Sequence, residues 1–222
     1  MSRVNQISEN ARFRWLFSPD AALSRKPWDE EIARTKSFVA LPSLGSLVPG
    51  WLLVVPRRPM LSLRDLTGAE RTELIDLQDS LAGDLRVFEP RIFAFEHGSD
   101  HRGSVLGCGV DQAHLHLVPL PFDLVEMARA ECDDEVEWQS VCGMPLMSLP
   151  HEGEYVAVWQ AGTEGGAIGF VKKPVSQWMR RLIARQLGIG EEWNYRTNLQ
   201  TKKIRRTVDT LRRSVRSTTL AG

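Results

Sequence analysis

Residues 111–119, Asp-Gln-Ala-His-Leu-His-Leu-Val-Pro, carry the side chains of this chain that are best suited to chemistry. If the segment is a β-strand, its side chains alternate between two faces, so that Gln112, His114 and His116 share one face. The residues between them are apolar and are expected to face a core. Three hydrogen-bonding side chains opposite an apolar row predict a functional site on a half-buried strand.

Metal binding and a purely structural role are the alternatives for the histidine pair. Two imidazoles at this spacing can ligate a metal, but no Cys, Asp or Glu lies two or four residues from His114 or His116 to complete a ligand set. We therefore expect no metal here. On the residues alone, a structural pair on a solvent-facing strand remains open.

Strands and one long helix must position this segment. Two apolar runs, residues 36–41 and 50–56, predict a hairpin. Leucines at helical spacing predict a helix over residues 68–88, with a capping box formed by Thr67 and Glu70. The other predicted elements are a strand at 91–96, a helix at 122–132, a hairpin of 155–160 and 167–171, a helix capped by Ser176 and ended by Gly188, and a last helix around 204–215. Residues 133–154 are left unassigned.

The composition is that of an ordinary globular protein. Of 222 residues, 42% are hydrophobic and 25% are charged. Three cysteines without a Cys-x-x-Cys pair indicate neither a disulfide framework nor a zinc ribbon, and the polar N-terminus lacks the apolar core of a signal peptide, so we expect a cytoplasmic protein. The apolar run at 51–55 is far too short to span a bilayer, and no membrane partner is expected.

The zero net charge hides an uneven distribution of charge. Lys and Arg together number 28, as do Asp and Glu, but residues 172–216 carry thirteen bases and only three acids. Such a cationic segment can bind a phosphate-rich ligand or nucleic acid, and it can equally be a solvated helical face.

Over about residues 36–121 the chain resembles the histidine-triad (HIT) superfamily of nucleotide hydrolases and transferases. The resemblance is carried by the His-x-His strand, by the Val-Pro-Gly turn and Leu-Val-Val-Pro strand of the first hairpin, and by Phe-Glu-His-Gly at 95–98. Cys108 and Gly109, together with Ser-Gln-Trp-Met-Arg-Arg at 176–181, resemble the larger bacterial relatives of diadenosine polyphosphate hydrolases.

The resemblance implies roles for individual residues. His114 would be the nucleophile that forms a nucleotidyl-histidine intermediate, and His116 would donate to phosphate oxygens and assist proton transfer. Gln112 stands where the family has its first histidine, as a hydrogen-bonding group that cannot carry a proton. His97 is either a ligand contact or a surface residue. The implied nucleotide- or phosphate-binding residues are Glu96, Ser43, Gly109, Ser176, Gln177, Arg180 and Arg181.

We therefore predict an α+β fold, in which a HIT-like antiparallel sheet with a long helix is followed by a C-terminal α/β extension. Residues 1–12 would form a flexible tail, 13–122 the catalytic domain and 123–222 an extension packed on it. The implied function is hydrolysis of a phosphoanhydride or phosphoramidate at the α-phosphate of a nucleotide, or nucleotidyl transfer, without a cofactor. Nucleotide removal from a nucleic-acid end and nucleotide binding without catalysis are the alternatives, and a homodimer is a further expectation from the resemblance.

Overall fold

The computed structural model describes residues 12–16, 26–107, 110–131 and 134–220, with side chains at the C-terminal end as far as residue 213. The described residues contain the strands β1 (Ala33–Arg34), β2 (Phe38–Pro42), β3 (Leu52–Pro56), β4 (Ile92–Gly98), β5 (Leu115–Pro119), β6 (Val136–Val141), β7 (Tyr155–Gln160) and β8 (Gly166–Val171). Their α-helices are α1 (Gly68–Leu85), α2 (Leu124–Ala130), α3 (Trp178–Gln186) and α4 (Thr201–Leu220).

All eight strands form one antiparallel sheet in the order β1-β2-β3-β5-β4-β7-β8-β6. The predicted α+β fold, an antiparallel sheet with a long helix, is confirmed. The sheet continues across the expected boundary at residue 122, because β4 pairs with β7 from Phe93 opposite Gln160 to Gly98 opposite Tyr155. The C-terminal extension therefore adds strands to the same sheet.

The helix α1 begins as its capping box predicts. The Glu70 amide donates to Thr67 Oγ1 at 3.3 Å, and the Thr67 amide donates to the Glu70 carboxylate at 2.8 Å. The helix ends at Leu85, three residues before the predicted end, and a turn follows in which the Phe88 amide donates to the Leu85 carbonyl at 2.9 Å. Pro90 lies close behind and disfavours helical backbone at the residue before it.

The sheet separates two apolar cores, and strand alternation decides which residues face each. Ile92 and Ala94 face the core that contains α1, whereas Phe93 and Phe95 face the core that contains α2 and α3. In β5 the core beneath α1 takes Leu115 and Leu117. His116 therefore lies on the face that carries α3.

The start of α3 differs from its prediction. Ser176 does not cap the helix; the residue before the first turn is Gln177, whose backbone has a positive φ of 60° and whose side chain makes no capping hydrogen bond. Gly188, with φ of 68°, follows the helix as predicted. The unassigned region contains β6. In the part of the chain that the structure describes, no helix is long and apolar enough to cross a membrane.

Candidate active site

A cavity opens where β4 and the residues leading into β5 meet the N-terminal segment, the β2–β3 connection and α3. The lining residues come from sequence-distant parts of the chain: Arg12, Phe13, Ser43, Leu44, Leu53, His97, Leu106, Gly107, Val110, His114, His116, Gln177, Arg180 and Tyr195.

His114 is held in a single neutral tautomer. Its Nδ1 lies 2.9 Å from the backbone oxygen of Gln112. Because a carbonyl oxygen only accepts, Nδ1 carries the proton and Nε2 keeps its lone pair. Burial lowers the pKa of His114 to about 4; the hydrogen bond to the Gln112 carbonyl acts in the opposite direction, and the positive charge of Arg12 adds to the lowering. The ring is therefore an uncharged nucleophile at neutral pH.

His116 is held in the opposite tautomer. The Trp51 indole nitrogen, which can only donate, lies 3.0 Å from His116 Nδ1, so the proton of the neutral ring is on Nε2. Burial, followed by the neighbouring histidines and arginines, lowers the pKa of His116 well below its usual value, and the ring stacks on Phe95 at 4.2 Å. This arrangement makes Nε2–H a fixed donor. This tautomer argues against the expected role of His116 in proton transfer, because a second proton on the ring would occupy Nδ1 and break the hydrogen bond from Trp51.

Gln112 is a clamp beneath the histidines and does not line the cavity. Its Nε2 donates to the carbonyls of Pro56 at 3.1 Å and Arg58 at 3.0 Å, and its Oε1 accepts from the Met60 amide at 3.3 Å. The expected shared face with His114 is not formed, because regular strand structure begins only at Leu115. Gln112 touches the site through its backbone oxygen, which fixes the His114 tautomer.

His97 lies in the cavity wall, and its role was left undecided by the sequence. Its ring centre is 6.2 Å from that of His116, and His114 and His116 are 4.8 Å apart. His97 Nε2 accepts from the Met179 amide at 3.4 Å. Burial, then electrostatic interaction with His114 and Arg180, lowers its pKa to about 3. The site thus contains three neutral imidazoles, one of them from β4; the alternation of Phe95 and His97 along that strand is the signal that could have found it.

Glu96 does not take part in the cavity, contrary to the expectation of a ligand contact. Strand alternation turns it to the opposite face of the sheet, where its carboxylate accepts from the Leu63 amide at 2.7 Å and from the Tyr155 hydroxyl. Burial raises the pKa of Glu96 to about 7.

The predicted C-terminal and loop residues divide into two groups. Gln177, Arg180 and Ser43 line the cavity. Ser176 and Arg181 do not: Arg181 donates to the Ser176 carbonyl at 3.0 Å and stacks on a tryptophan outside the cavity wall. Gly109 lies outside the described residues.

Arg180 is a buried cation that joins three parts of the site. Its Nε donates to the Trp193 carbonyl at 2.9 Å, another nitrogen donates to the Gly45 carbonyl, and the guanidinium lies 4.8 Å from the Trp51 ring centre. Trp51 in turn bonds His116, so the cation supports the histidine row as well as lining the cavity.

A group of side chains with metal-ligand chemistry lies apart from the cavity. Asp100, His101 and Glu154 place their ligand atoms within 4.8 Å of one another, and none of them lines the cavity. In the histidine row, the proton on His116 Nε2 and the indole on its Nδ1 leave that ring no lone pair for a metal.

No protein-family model and no curated protein matches this chain. Among solved structures it is similar to yeast Ap4A phosphorylase Apa2 in complex with AMP, at 14% identity and a TM-score of 0.39, over 61% of this chain and 56% of the other. A second structure of Apa2 gives 15% identity, a TM-score of 0.39 and the same coverage. The Apa2 complex with Ap4A gives 14% identity and a TM-score of 0.36, over 68% of this chain and 66% of the other. The chain thus spans a little over half the length of the first two matches, and with TM-scores below 0.5 these likenesses carry no weight for function.

Proposed function

We propose that this protein is a nucleotide hydrolase that cleaves at the α-phosphorus through a covalent nucleotidyl-His114 intermediate. The observation that carries the proposal is the hydrogen bond from His114 Nδ1 to the Gln112 carbonyl, which leaves Nε2 as an unprotonated nucleophile in the cavity wall. Nucleotide specificity is taken from the HIT resemblance, since the cavity residues by themselves indicate only a phosphate-bearing ligand.

Two displacements complete the reaction. In the first, the His114 Nε2 lone pair forms a bond to phosphorus, and the bond from phosphorus to the leaving oxygen breaks with its electron pair on that oxygen. In the second, water attacks phosphorus, the nitrogen–phosphorus bond breaks, and one water proton passes to solvent as the nucleoside monophosphate departs. His116 Nε2–H and Arg180 would stabilise the negative charge that develops on the phosphoryl oxygens.

The protonation of the site favours a phosphoanhydride over a phosphoramidate. An amine leaving group must be protonated as it departs, whereas a phosphate leaves as a stable anion. The pKa values of His97 and His116 are both lowered by burial, so neither ring is a charged acid at neutral pH. Gln112 carries no titrating proton. The proposed substrate is therefore a nucleoside polyphosphate or dinucleoside polyphosphate.

Incubation with a panel of dinucleoside polyphosphates, nucleoside phosphoramidates and adenylylated DNA tests the proposal. We expect a nucleoside monophosphate as product, and after rapid acid-free quenching we expect a peptide adduct at His114 by mass spectrometry. His114→Ala should abolish turnover and the adduct while still binding nucleotide, because the phosphate contacts remain. His151→Ala, which changes an exposed histidine outside the cavity, is the matched control.

Substantial turnover by His114→Ala would show that the nucleophile is assigned to the wrong residue. Binding without turnover or adduct for every substrate would instead select the non-catalytic alternative. Preferred cleavage of adenylylated DNA, weakening steeply with salt, would select the nucleic-acid alternative.

A further inference from the structure

The N-terminal segment, residues 12–16, places a second cation in the cavity wall. Phe13 is 1% exposed and packs with Val39, Leu41 and Leu53, which anchors the segment against the sheet. Its neighbour Arg12, expected from the sequence to belong to a flexible tail, lines the cavity. The cation is thus held in place by its neighbour.

Arg12 is half-buried, and its guanidinium makes fewer hydrogen bonds than its five N–H groups can form. One terminal nitrogen makes two long contacts, 3.3 Å to the Pro42 carbonyl and 3.4 Å to the Trp28 carbonyl, while Nε is buried without a hydrogen-bond partner. Among the described residues, no carboxylate lies within 4.0 Å of it. Burial lowers the pKa of Arg12 to about 10, and the charge of Asp29 offsets this only in part. The side chain remains charged at neutral pH, and within the described part of the chain it forms no ion pair.

Arg12 and Arg180 lie at different ends of the histidine row. The Phe13 ring is 5.9 Å from that of His114, and the charge of Arg12 lowers the pKa of His114. The charge of Arg180 lowers the pKa of His97, at the other end of the row, and both charges lower the pKa of His116 between them. The three imidazoles that lie between the two arginines are neutral. The cavity wall therefore has two positive charges, and His114 lies near that of Arg12.

We propose that Arg12 is a phosphate-binding residue, and that with Arg180 it makes the site select ligands that carry at least two successive phosphoryl groups. The inference rests on the proposed function for the chemistry at His114 but not for the anion binding itself. A phosphoryl oxygen suits the position, because it supplies both the charge and the acceptors that the buried guanidinium lacks. A ligand with two successive phosphoryl groups carries an anionic group for each of the two cations.

Calorimetric titration of the full chain with inorganic pyrophosphate and inorganic phosphate tests this inference. We expect pyrophosphate to bind more tightly than phosphate. Arg12→Gln should weaken pyrophosphate binding by about tenfold or more and phosphate binding by less than about threefold. Arg34→Gln removes the same charge at an exposed site far along the chain and should change neither affinity by more than about twofold.

Arg12→Lys separates charge from structure, since it keeps the cation but loses the planar fork. It should retain more pyrophosphate affinity than Arg12→Gln. If both variants bind pyrophosphate and phosphate equally weakly and have a lower Tm, Arg12 has only a structural role and the inference is wrong. The inference is also wrong if Arg12→Gln leaves pyrophosphate binding unchanged. The same holds if Arg34→Gln matches the effect of Arg12→Gln.

His114→Ala distinguishes failure of this inference from failure of the proposed function. Pyrophosphate should still bind this variant with a dependence on Arg12, since the anion site needs no nucleophile. If pyrophosphate binding depends on Arg12 but the protein turns over no nucleotide, the inferred anion site is supported and the proposed hydrolase function is wrong. If nucleotide turnover requires His114 but pyrophosphate binding does not depend on Arg12, the hydrolase function is supported and the inferred anion site is wrong.

Discussion

At the scale of single residues, two histidines of the same motif are prepared for different tasks by one hydrogen bond each. The backbone carbonyl of Gln112 forces the proton of His114 onto Nδ1, and the Trp51 indole forces that of His116 onto Nε2. The first ring therefore presents a lone pair at Nε2, and the second presents an N–H donor at Nε2. Residue type and spacing are the same for both, and only the atoms that face Nδ1 separate them.

The lowered pKa of His114 predicts an unusual pH profile. Its folded-state pKa is about 4, so Nε2 loses its lone pair only below that pH. We expect kcat/KM for a dinucleoside polyphosphate to stay level from pH 8 to about pH 5 and to fall towards pH 4. An ordinary histidine would already be half protonated near pH 6.5. A midpoint near 6.5 in initial-rate measurements, made where circular dichroism shows the fold intact, would contradict this assignment.

At the scale of elements, the site is formed where regular structure gives way to irregular backbone. β4 presents His97 to the cavity and Glu96 to the opposite core, as strand alternation requires. The segment before β5 does not alternate in this way. There Gln112 turns back onto the backbone that follows β3, and this contact sets the position of the carbonyl that orients His114.

Substitution of Gln112 tests that clamp. Its amide pairs with three backbone groups, so Gln112→Ala leaves them unpaired and should cost about 1–3 kcal/mol of unfolding free energy. It should also lower kcat, because the His114 acceptor moves. Gln112→His can replace part of the clamp and should keep kcat within about tenfold. The measurements are the unfolding free energy from chemical denaturation and kcat, each for both variants.

Gln139→Ala, at an exposed position on β6, is the matched control and should change neither quantity. A gain in kcat of several orders of magnitude from Gln112→His would mean that the native chain is a decayed binder rather than a competent hydrolase. An unchanged unfolding free energy for Gln112→Ala would show that the hydrogen bonds of the Gln112 side chain do not stabilise the fold.

At the scale of the whole molecule, one sheet and one cavity join sequence-distant parts of the chain. The cavity takes residues from Arg12 to Tyr195. The Gly50 amide donates to Thr207 Oγ1 of α4 at 2.7 Å, which fastens the last helix to the first hairpin. Gly45, with φ of 70°, meets the segment before α4 so closely that a Cβ there would lie 2.6 Å from the Tyr195 Cβ. The C-terminal part is thus needed to complete the site.

Buried Glu96, which accepts hydrogen bonds from the Leu63 amide and the Tyr155 hydroxyl, predicts a pH-dependent stability difference. Its folded pKa is raised to about 7 by burial, above the ordinary value of 4.5. Below pH 4.5 the carboxyl is protonated in both states; between 4.5 and 7 only the unfolded chain ionises it, so its contribution to stability is lost as pH rises. Glu96→Gln keeps the acceptor for Leu63 and removes the charge.

The unfolding free energy of Glu96→Gln minus that of the native protein should therefore increase by about 1–3 kcal/mol from pH 4.5 to pH 8. Denaturation at a series of pH values gives this difference, in which the contributions of the buried histidines cancel. Glu164→Gln, at an exposed acid, should give a constant difference. A difference for Glu96→Gln that does not change with pH would show that burial does not raise this pKa.

The sequence by itself determined the features that depend on neighbouring residues. The capping box at Thr67, the period of the α1 leucines and the alternation of the apolar strands predicted the α+β fold, and the His-x-His spacing singled out two histidines that line the cavity. These are local interactions, which the order of residue types specifies directly.

The tertiary structure alone decided which groups complete the site. Arg12 and Arg180 come from opposite ends of the chain, and neither spacing nor composition relates one to the other. The same is true of the Trp51 indole on His116 and of the fold-back that takes Gln112 out of the histidine row. Each of these depends on contacts between residues far apart in sequence, and the chain must be packed before the proton of each imidazole has a fixed place.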